Sequence, residues 1–202
     1  MDIFLLISRL FQYLSRKNLF LQNNFVKEIV SGGQTGVDRA ALDIAIKFKI
    51  LHSGWCPFGR KAEDGVIPAK YNLKEAPRAI SDEDLIDPLA IYNIRTEFNV
   101  RDSDSTLIIV KDPPIGGTLY TLEMTKKHNK PCLVFNLSDN IEVIDIVNWI
   151  IKNNIHKLNV AGPRASQTAD IYNSATNVLD QLLSHPLLCQ NNSVKQIPKA
   201  KL

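Results

Sequence analysis

This 202-residue chain has few cysteines, a small net charge and no long apolar run. The three cysteines, Cys56, Cys132 and Cys189, are odd in number and widely spaced, which suggests neither a disulfide framework nor a structural zinc site. The net charge is only +3, whereas proteins that wrap nucleic acid usually carry a concentrated basic face. We therefore expect a cytoplasmic protein, in a reducing compartment, with no nucleic-acid partner and no metal site of its own.

Residues 1–24 are rich in Phe and Leu, but polar and basic residues such as Ser8, Arg9 and Gln12 interrupt them. No run reaches the roughly 18 apolar residues that a transmembrane helix needs, so we predict no membrane partner. The basic start and small-residue cleavage site of a signal peptide are not evident. Apolar residues do recur at helical spacing: Ile3, Leu6, Ile7, Leu10, Phe11 and Leu14. We predict an amphipathic or disordered extension, with an interfacial or partner-binding helix as the functional alternative.

The chain as a whole has the composition of an ordinary globular protein, with 45% hydrophobic and 22% charged residues. The chain length favours one domain. We place that domain at residues 25–184. From residue 185 to 202 Asn, Gln and Lys predominate, so we assign this stretch as a C-terminal tail.

The stretch Ile29–Arg39, IVSGGQTGVDR, is where a short apolar run ends in two glycines and passes into a helical pattern. Glycines there let the backbone approach a ligand closely, and a helix N-terminus favours an anion such as phosphate. Asp38 repels phosphate, so it would accept a hydrogen bond from a ligand or pair with Arg39. The alternative is a plain glycine turn without a ligand. The candidate binding residues of this stretch are Gly32, Gly33, Gln34, Thr35, Gly36, Asp38 and Arg39.

After a second short strand at residues 50–55, the segment SGWCPFGRKAEDGVIP is punctuated by Gly and Pro and reads as a long loop. Long ordered loops are often functional. Arg60 and Lys61 offer cations to an anionic ligand, and Trp55 offers a flat apolar wall. Each of these residues also has an ordinary interpretation, as a solvated surface cation or a packed aromatic side chain. Cys56 has no His or Cys neighbour at ligand spacing.

A second strand–Gly-Gly–helix junction follows the β-branched run 106–110. Gly116 and Gly117 lead through Thr118 into a helical segment at about residues 119–128. Because parallel strands end at one edge of a sheet, we expect both glycine pairs at that edge, where open α/β sheets bind ligands. Glu123 lies on the second helix, either as a solvated carboxylate or as a functional acid.

Strand and helix patterns continue to alternate along the chain. We predict a helix at 91–101, strands at 131–136 and 157–161, and a last helix that begins near Ile171. Asp139 and Glu142 stand at capping-box spacing before the helix between those two strands. This alternation predicts an α/β fold in which helices cover both faces of a mostly parallel central sheet.

Five segments in this order carry a resemblance to a known family: SGGQTGVDRAALD, GWCPFGRKAEDGVIP, RTEFNVRDSDSTLI, GGTLYTLE and NVAGPR. The chain resembles the molybdenum cofactor carrier family over roughly residues 26–183. That family belongs to the Rossmann-like superfamily shared with LOG-type and DprA proteins, so the resemblance implies a Rossmann-like three-layer sandwich. Ser53 and Ser105 stand where glycine is expected in relatives, and the acidic segment 82–88 looks like an insertion.

The resemblance implies a homo-oligomer that binds molybdenum cofactor, a pterin dithiolene with a terminal phosphate, as cargo for storage or delivery. Molybdoenzymes would be the acceptors. The two glycine pairs with Gln34, Thr35 and Thr118 would cradle the phosphate. Arg39 and Arg60 would neutralise it or the molybdate oxygens, and Trp55 would stack on the pterin. Arg95, Asp102 and Asp104 match a third family segment and would hold the first junction in place or bind pterin amines. Asn159 and Arg164 match the last segment.

Two alternatives share the same pocket. GGTLYTLE is similar to the glycine-rich motif of LOG-type hydrolases, which cleave the N-glycosidic bond of nucleotide monophosphates with a glutamate that corresponds to Glu123. The middle glycine of that motif is not in its place, because Leu119 and Tyr120 intervene, and no second acid or base can be named. The other alternative is a sensor of nucleotide-derived ligands. We favour the carrier, which needs no catalytic residue.

Overall fold

The computed structural model describes residues 26–77, 90–139 and 141–188, with the backbone alone at 90 and 91. The predicted extension at 1–24, the acidic segment 82–88 and most of the predicted tail lie outside these ranges. The described residues form an α/β fold with helices on both faces of a parallel central sheet, which confirms the predicted Rossmann-like fold class.

Five parallel strands form the central sheet in the order β2-β1-β9-β7-β8. They are β1 Glu28–Val30, β2 Leu51–Ser53, β7 Ser105–Val110, β8 Cys132–Asn136 and β9 Lys157–Ala161. Four short strands lie between β2 and β7: β3 Trp55–Cys56, β4 Lys61–Ala62, β5 Gly65–Val66 and β6 Lys74–Glu75. Strands β4 and β5 form an antiparallel hairpin, whereas β3 and β6 pair in parallel.

Five helices of the described residues flank the sheet: α1 Val37–Lys47, α2 Ala90–Arg101, α3 Gly116–Lys127, α4 Val143–Lys152 and α5 Ile171–Ser184. Helix α5 packs against both α1 and α4 on one face of the sheet, and α2 packs against α3 on the other. The apolar stripe of α1 explains its placement, because Ala40, Ala41 and Ile44 are buried in the main core.

The two faces of the sheet differ in character. The α1, α4 and α5 side buries a continuous apolar core that includes Ile146, Ile150, Leu179 and Leu182. The described part of the α2–α3 pair instead buries short polar side chains: Thr96, Asn99, Thr118, Thr121 and Thr125. Buried polar groups of this kind need hydrogen-bond partners, so packing on this face depends on hydrogen bonds as well as on apolar contact.

Local boundaries differ from the sequence predictions in three places. Helix α3 begins at Gly116 itself, so the glycines form its first turn. The strand predicted at 50–55 is interrupted at Gly54, whose φ of 144° and close approach to the Ser31 carbonyl redirect the chain. The capping interaction before α4 joins Glu142 to Asp145 instead of Asp139 to Glu142, because the helix begins later than the spacing suggested.

Candidate functional site

Three loops meet at the carboxyl edge of the sheet. The first glycine pair follows β1, Gly162 follows β9, and the second glycine pair follows β7. Strand β9 lies between β1 and β7, so the two pairs follow strands that are not neighbours. The chain leaves β1 through α1 toward β2, and it leaves β7 through α3 toward β8, in opposite directions across the sheet. Such a switch point opens a crevice where α/β proteins bind ligands.

A cavity of about 320 Å³ occupies this crevice. Its size lies within the roughly 300–1,000 Å³ usual for small-molecule sites. Its walls come from the first glycine loop, the start of α1, helix α2, the start of α3 and the loop after β9. The lining residues are Gln34, Asp38, Tyr92, Arg95, Thr96, Gly116, Gly117, Thr118, Thr121, Ala161, Gly162, Arg164 and Gln167.

The start of α3 offers free donors to this cavity. Thr118 and Leu119 donate their amides to the Ile115 carbonyl, while no described residue accepts a hydrogen bond from the amides of Gly116 or Gly117. Gly116 has a φ of 52°, a conformation that favours glycine. A Cβ at Gly117 would find no described atom within 4 Å. Free amides at the positive end of a 12-residue helix favour an anion.

Arg95 and Asp38 form an ion pair in the cavity wall. The Arg95 Nη1 donates to Asp38 Oδ2 at 3.2 Å, and the Gln34 amide donates to the same oxygen at 3.2 Å. Burial raises the pKa of the Asp38 carboxyl, and the Arg95 charge offsets this only in part. Arg95 Nε is buried and finds no acceptor among the described residues. A ligand acceptor that reached it would satisfy this donor.

Gly32 is required for this pairing. A Cβ at Gly32 would lie 1.9 Å from Arg95 Nη1, so any larger residue would displace the guanidinium. The first glycine pair thus makes room for a protein side chain as well as for a tight turn.

The other residues of the first glycine loop mostly face protein. A Cβ at Gly33, whose φ is 78°, would lie 2.6 Å from Leu73, and one at Gly36 would lie 2.4 Å from the Pro163 carbonyl. Thr35 Oγ1 donates to Glu63 and accepts from the Ala165 amide. Arg39 donates to the Gly33 carbonyl and pairs with Asp64 at 2.7 Å. Of this predicted set, only Gln34 and Asp38 line the cavity.

The aromatic and basic residues predicted from the long loop also lie outside the cavity walls. Arg60 donates to the carbonyls of Ile67, Pro68, Leu73 and Tyr71, so its guanidinium organises the loop. Lys61 is exposed at the start of the β4–β5 hairpin.

Trp55 packs edge-on against Phe98 and donates its indole N–H to Asp102 at 2.8 Å. It therefore joins β3 to α2. Cys56 is buried, and burial raises the pKa of its thiol.

Residues of the later segments also have defined places. Asp104 accepts from the amides of His156 and Lys157, and Asn159 donates to Thr106, so both connect neighbouring strands. Glu123 is exposed on α3 and is not among the residues that line the cavity.

The structure brings into the cavity Tyr92 and Thr96, which no prediction included, and Arg95 and Arg164, which had been named only from the family segments. Arg164 lines it from the loop after β9, and its Nε lies 3.3 Å from Glu63 Oε2. Tyr92, Arg95 and Thr96 line it from one face of α2. Their spacing of three and four residues was the available signal, as was the third strand–glycine junction at Gly162-Pro163-Arg164.

Comparison with known proteins identifies the family. Residues 29–183 match the circularly permutated YpsA SLOG family. The chain belongs to this family. It is also similar to a crystal structure from Syntrophus aciditrophicus described as a "putative molybdenum carrier protein", with 41% sequence identity and a TM-score of 0.69. The similarity covers 79% of this chain and 96% of that one. No curated protein matches.

Membership in the SLOG family and this structural neighbour support a role related to molybdenum cofactor or to LOG-type chemistry. None of the helices in the described part of the chain is long and apolar enough to cross a bilayer. Within the same residues, no group of three or more His, Cys, Asp or Glu side chains is arranged to hold a metal ion.

Proposed function

We propose that this protein binds molybdenum cofactor, a phosphorylated pterin dithiolene, as cargo for storage or delivery. The observation that carries the proposal is the crevice cavity, where the free amides of Gly116 and Gly117 and the side chains of Arg95 and Arg164 converge. The name of the Syntrophus protein supports the choice of cargo. A carrier needs reversible capture, which fits a site that relies on hydrogen bonds and charge.

The residues in the cavity wall suit different parts of such a ligand. The phosphate would accept from the amides of Gly116 and Gly117 and from the hydroxyl of Thr118, with Arg164 as the neutralising cation. Arg95 would donate its unpaired Nε–H to a second acceptor of the ligand. Gln34 would contribute amide donors, because its Oε1 already accepts from the amides of Thr35 and Glu63.

Protein purified anaerobically from a cofactor-producing host tests the proposal. We expect molybdenum and phosphorus in comparable molar amounts by elemental analysis, and a fluorescent pterin in the oxidised extract. Protein without molybdenum or pterin would reject the proposal.

A matched pair of variants tests the phosphate site. Gly117→Glu and Gly117→Gln add side chains of similar size where no described atom lies within 4 Å, but only Glu adds a negative charge. We expect both to lose cargo and the Glu variant to retain roughly ten-fold less than the Gln variant, since like charges repel at the amides. Equal retention by both variants and the wild type would reject this placement of the phosphate.

The second candidate function is hydrolysis of nucleotide monophosphates at the N-glycosidic bond, which membership in the SLOG family favours. Glu123 is exposed outside the cavity wall, whereas Asp38 is the one carboxylate among the described residues that line it. Release of free base from a panel of nucleoside monophosphates would support the hydrolase. Its loss in Asp38→Asn but not in Glu123→Gln would assign the acid to Asp38.

The proposal includes a homo-oligomer in the cytoplasm that passes its cargo to molybdoenzymes. Light scattering of the purified protein measures the assembly. Transfer of molybdenum to an apo-molybdoenzyme, followed through the activity that the enzyme gains, tests delivery separately from storage.

A further inference from the structure

The tip of the β4–β5 hairpin places the carboxylate of Glu63 among four donors of two other loops. Oε1 of Glu63 accepts from Thr35 Oγ1 and from the Ser166 amide at 3.1 Å. Oε2 accepts from Ser166 Oγ and pairs with Arg164 Nε at 3.3 Å. We call these four donors of Thr35, Arg164 and Ser166 the loop cradle.

The donor set of the loop cradle is one that proteins use for external anions. It combines a backbone amide, two hydroxyls and a guanidinium around two oxygens, which matches the acceptor sites of a carboxylate or a phosphoryl group. Partial burial alone would raise the pKa of the Glu63 carboxyl, but the hydrogen bonds from Ser166 and Thr35 hold it below its ordinary value. The loop cradle therefore holds an anion at neutral pH, and here that anion belongs to the protein.

The loop cradle is built without the hairpin. A Cβ at Gly36 would lie 2.4 Å from the Pro163 carbonyl, so a glycine with φ of 76° lets the loops after β1 and β9 touch. The Ala165 amide then donates to Thr35 Oγ1 at 3.1 Å and joins the two loops directly. Both loops start at strands of the central sheet. The four donors consequently keep their places if Glu63 leaves.

The hairpin tip is held more weakly than its base. Arg60 anchors the base through four backbone carbonyls, and the Ile67 amide donates to the Arg60 carbonyl at 2.8 Å. The two strands have two residues each, and Val66 is 73% exposed. Isolated two-stranded hairpins are marginally stable in water. Apart from Glu63, the described contact that holds the tip is the pair between Asp64 and Arg39.

Glu63 also holds two side chains that line the cavity. Its amide donates to Gln34 Oε1 at 3.0 Å, and its carboxylate pairs with Arg164. A movement of the tip would release both side chains toward the cavity at once. The loop cradle and the crevice cavity are thus adjacent sites that share Arg164.

We infer that the loop cradle is an anion-binding subsite for a phosphoryl group, and that the Glu63 side chain fills it until a phosphorylated ligand displaces the hairpin tip. The inference rests on the proposed function only in taking the ligand to carry a phosphoryl group. It assigns to Glu63 the role of a competitor that must leave for the ligand to enter, and to Arg164 the role of a cation shared by both states.

Titration of the full-length protein with inorganic phosphate at constant ionic strength tests the inference. The amide signals of Ser166 and Ala165 in ¹⁵N-labelled protein report the loop cradle, and that of Gly117 reports the start of α3. We expect Glu63→Ala to lower the phosphate dissociation constant at Ser166 by roughly ten-fold, because the competing carboxylate is gone. Glu63→Gln, which keeps the length of the side chain without its charge, should fall between Glu63→Ala and the wild type.

Asp64→Ala is the matched control. It removes the same charge, and the contact with Arg39, from the same hairpin tip but leaves the competing Glu63 carboxylate in place. It should therefore lower the dissociation constant by only about two-fold, clearly less than Glu63→Ala does. Equal strengthening by Asp64→Ala and Glu63→Ala would assign the effect to long-range charge and overturn the inference. Weaker phosphate binding in Glu63→Ala and Glu63→Gln would also overturn it, since Glu63 would then support the site.

Thermal unfolding checks that each variant folds. If Glu63→Ala does not fold, Glu63→Gln is compared with the wild type and with Asp64→Ala instead. The outcomes separate this inference from the proposed cargo. If the wild type retains molybdenum and pterin but the Glu63 variants show no gain in phosphate affinity, only the subsite is rejected. If the wild type carries no pterin but its Glu63 variants bind phosphate more tightly, only the proposed cargo is rejected.

Discussion

Four arginines near the carboxyl edge of the sheet have four different roles, which depend on how their donors are paired. Arg60 donates its hydrogen bonds to backbone carbonyls. Arg39 donates to Asp64 and to the Gly33 carbonyl. Arg95 is paired with buried Asp38 yet keeps an unpaired Nε. Arg164 lines the cavity and is about half exposed. Only the last two have donors left for a ligand in the cavity.

Arg60→Ala tests the structural role of this arginine. We expect it to lower the free energy of unfolding by about 2–3 kcal/mol, because four carbonyls lose a charged donor. Arg60→Lys should recover only part of this loss, since an ammonium group cannot serve several carbonyls as a planar fork does. Urea unfolding measures the change.

Lys61→Ala is the control for this prediction, because Lys61 is adjacent in sequence but exposed. We expect a change within about 0.5 kcal/mol. Equal losses from both substitutions would contradict the role assigned to Arg60.

At the scale of elements, the glycines at the three strand–helix junctions serve two purposes. Gly162 follows β9, and a Cβ there would lie 2.3 Å from the Ile109 carbonyl and 2.5 Å from Val37. Gly162 therefore permits close packing of β9 against β7 and α1. Gly117, in the first turn of α3, lies in open space, which the proposed phosphate site requires. Similar sequence patterns thus lead to a tightly packed glycine in one junction and to an open one in another.

Gly162→Ala and Gly117→Ala distinguish these roles by stability. Gly162→Ala should lower the free energy of unfolding by about 1–3 kcal/mol, because the added methyl group forces a backbone carbonyl aside. Gly117→Ala should leave stability unchanged or raise it by about 0.4–1 kcal/mol, since it reduces the freedom of the unfolded chain. Denaturant unfolding of both variants measures the difference, and a reversed order would contradict the assignment.

Helices α2 and α3 are joined at their exposed edge by Glu97, which accepts from Lys127 Nζ at 2.8 Å and contacts His128 Nε2 at 2.9 Å. The hydrogen bond from Lys127 is the main reason that the pKa of the Glu97 carboxyl lies below its ordinary 4.5. A lowered folded-state pKa stabilises the protein above the unfolded pKa. That contribution is lost as the pH falls through the folded-state pKa.

Glu97→Gln should therefore lower the free energy of unfolding by about 0.5–1 kcal/mol at pH 7, a value that allows for the partial exposure of the pair. The difference from the wild type should vanish when the pH is below the folded-state pKa of Glu97. Urea unfolding of both proteins between pH 7 and strong acid measures it. A difference that does not change with pH would show that packing, not charge, joins the two helices.

At the scale of the whole molecule, the two faces of the sheet differ in what they bury. The α1, α4 and α5 face holds the large apolar core, while the α2–α3 face carries buried threonines. The ion pair of Asp38 and Arg95 joins α1 to α2 across the edge of the sheet. The crevice cavity lies where these faces meet at the carboxyl edge.

Phosphate should stabilise the whole domain by binding only its folded state. At a concentration 100 times the dissociation constant the gain is about 2.7 kcal/mol, which for a domain of this size raises Tm by roughly 5–10 °C. Differential scanning fluorimetry in phosphate and in chloride of equal ionic strength measures the shift. Gly117→Glu should reduce it, whereas an undiminished shift would place the stabilising phosphate elsewhere.

Local patterns predicted the elements well, because helix and strand periodicity depends on residues close in sequence. Strand β9 has the predicted bounds, Lys157–Ala161, and helix α5 begins at Ile171, the first apolar residue of its pattern. The start of α4 was predicted too early, because several acidic residues near it can serve as caps and only packing selects one. The cations that line the cavity were harder to predict. Whether Arg60 or Arg95 is available to a ligand depends on hydrogen-bond acceptors that lie in other elements or at a distance along the chain.

By itself, the sequence determined the alternation of strands and helices, the family, and the position of both glycine pairs after parallel strands. Those features follow from short-range periodicity and from the rule that parallel strands end at the same edge. Only the tertiary structure decided that β9 separates the two glycine pairs and that Arg95 and Arg164, not Arg39 and Arg60, border the cavity. The reason is physical: a donor is available to a ligand only when no protein acceptor has been brought to it, and folding brings those acceptors from distant parts of the chain.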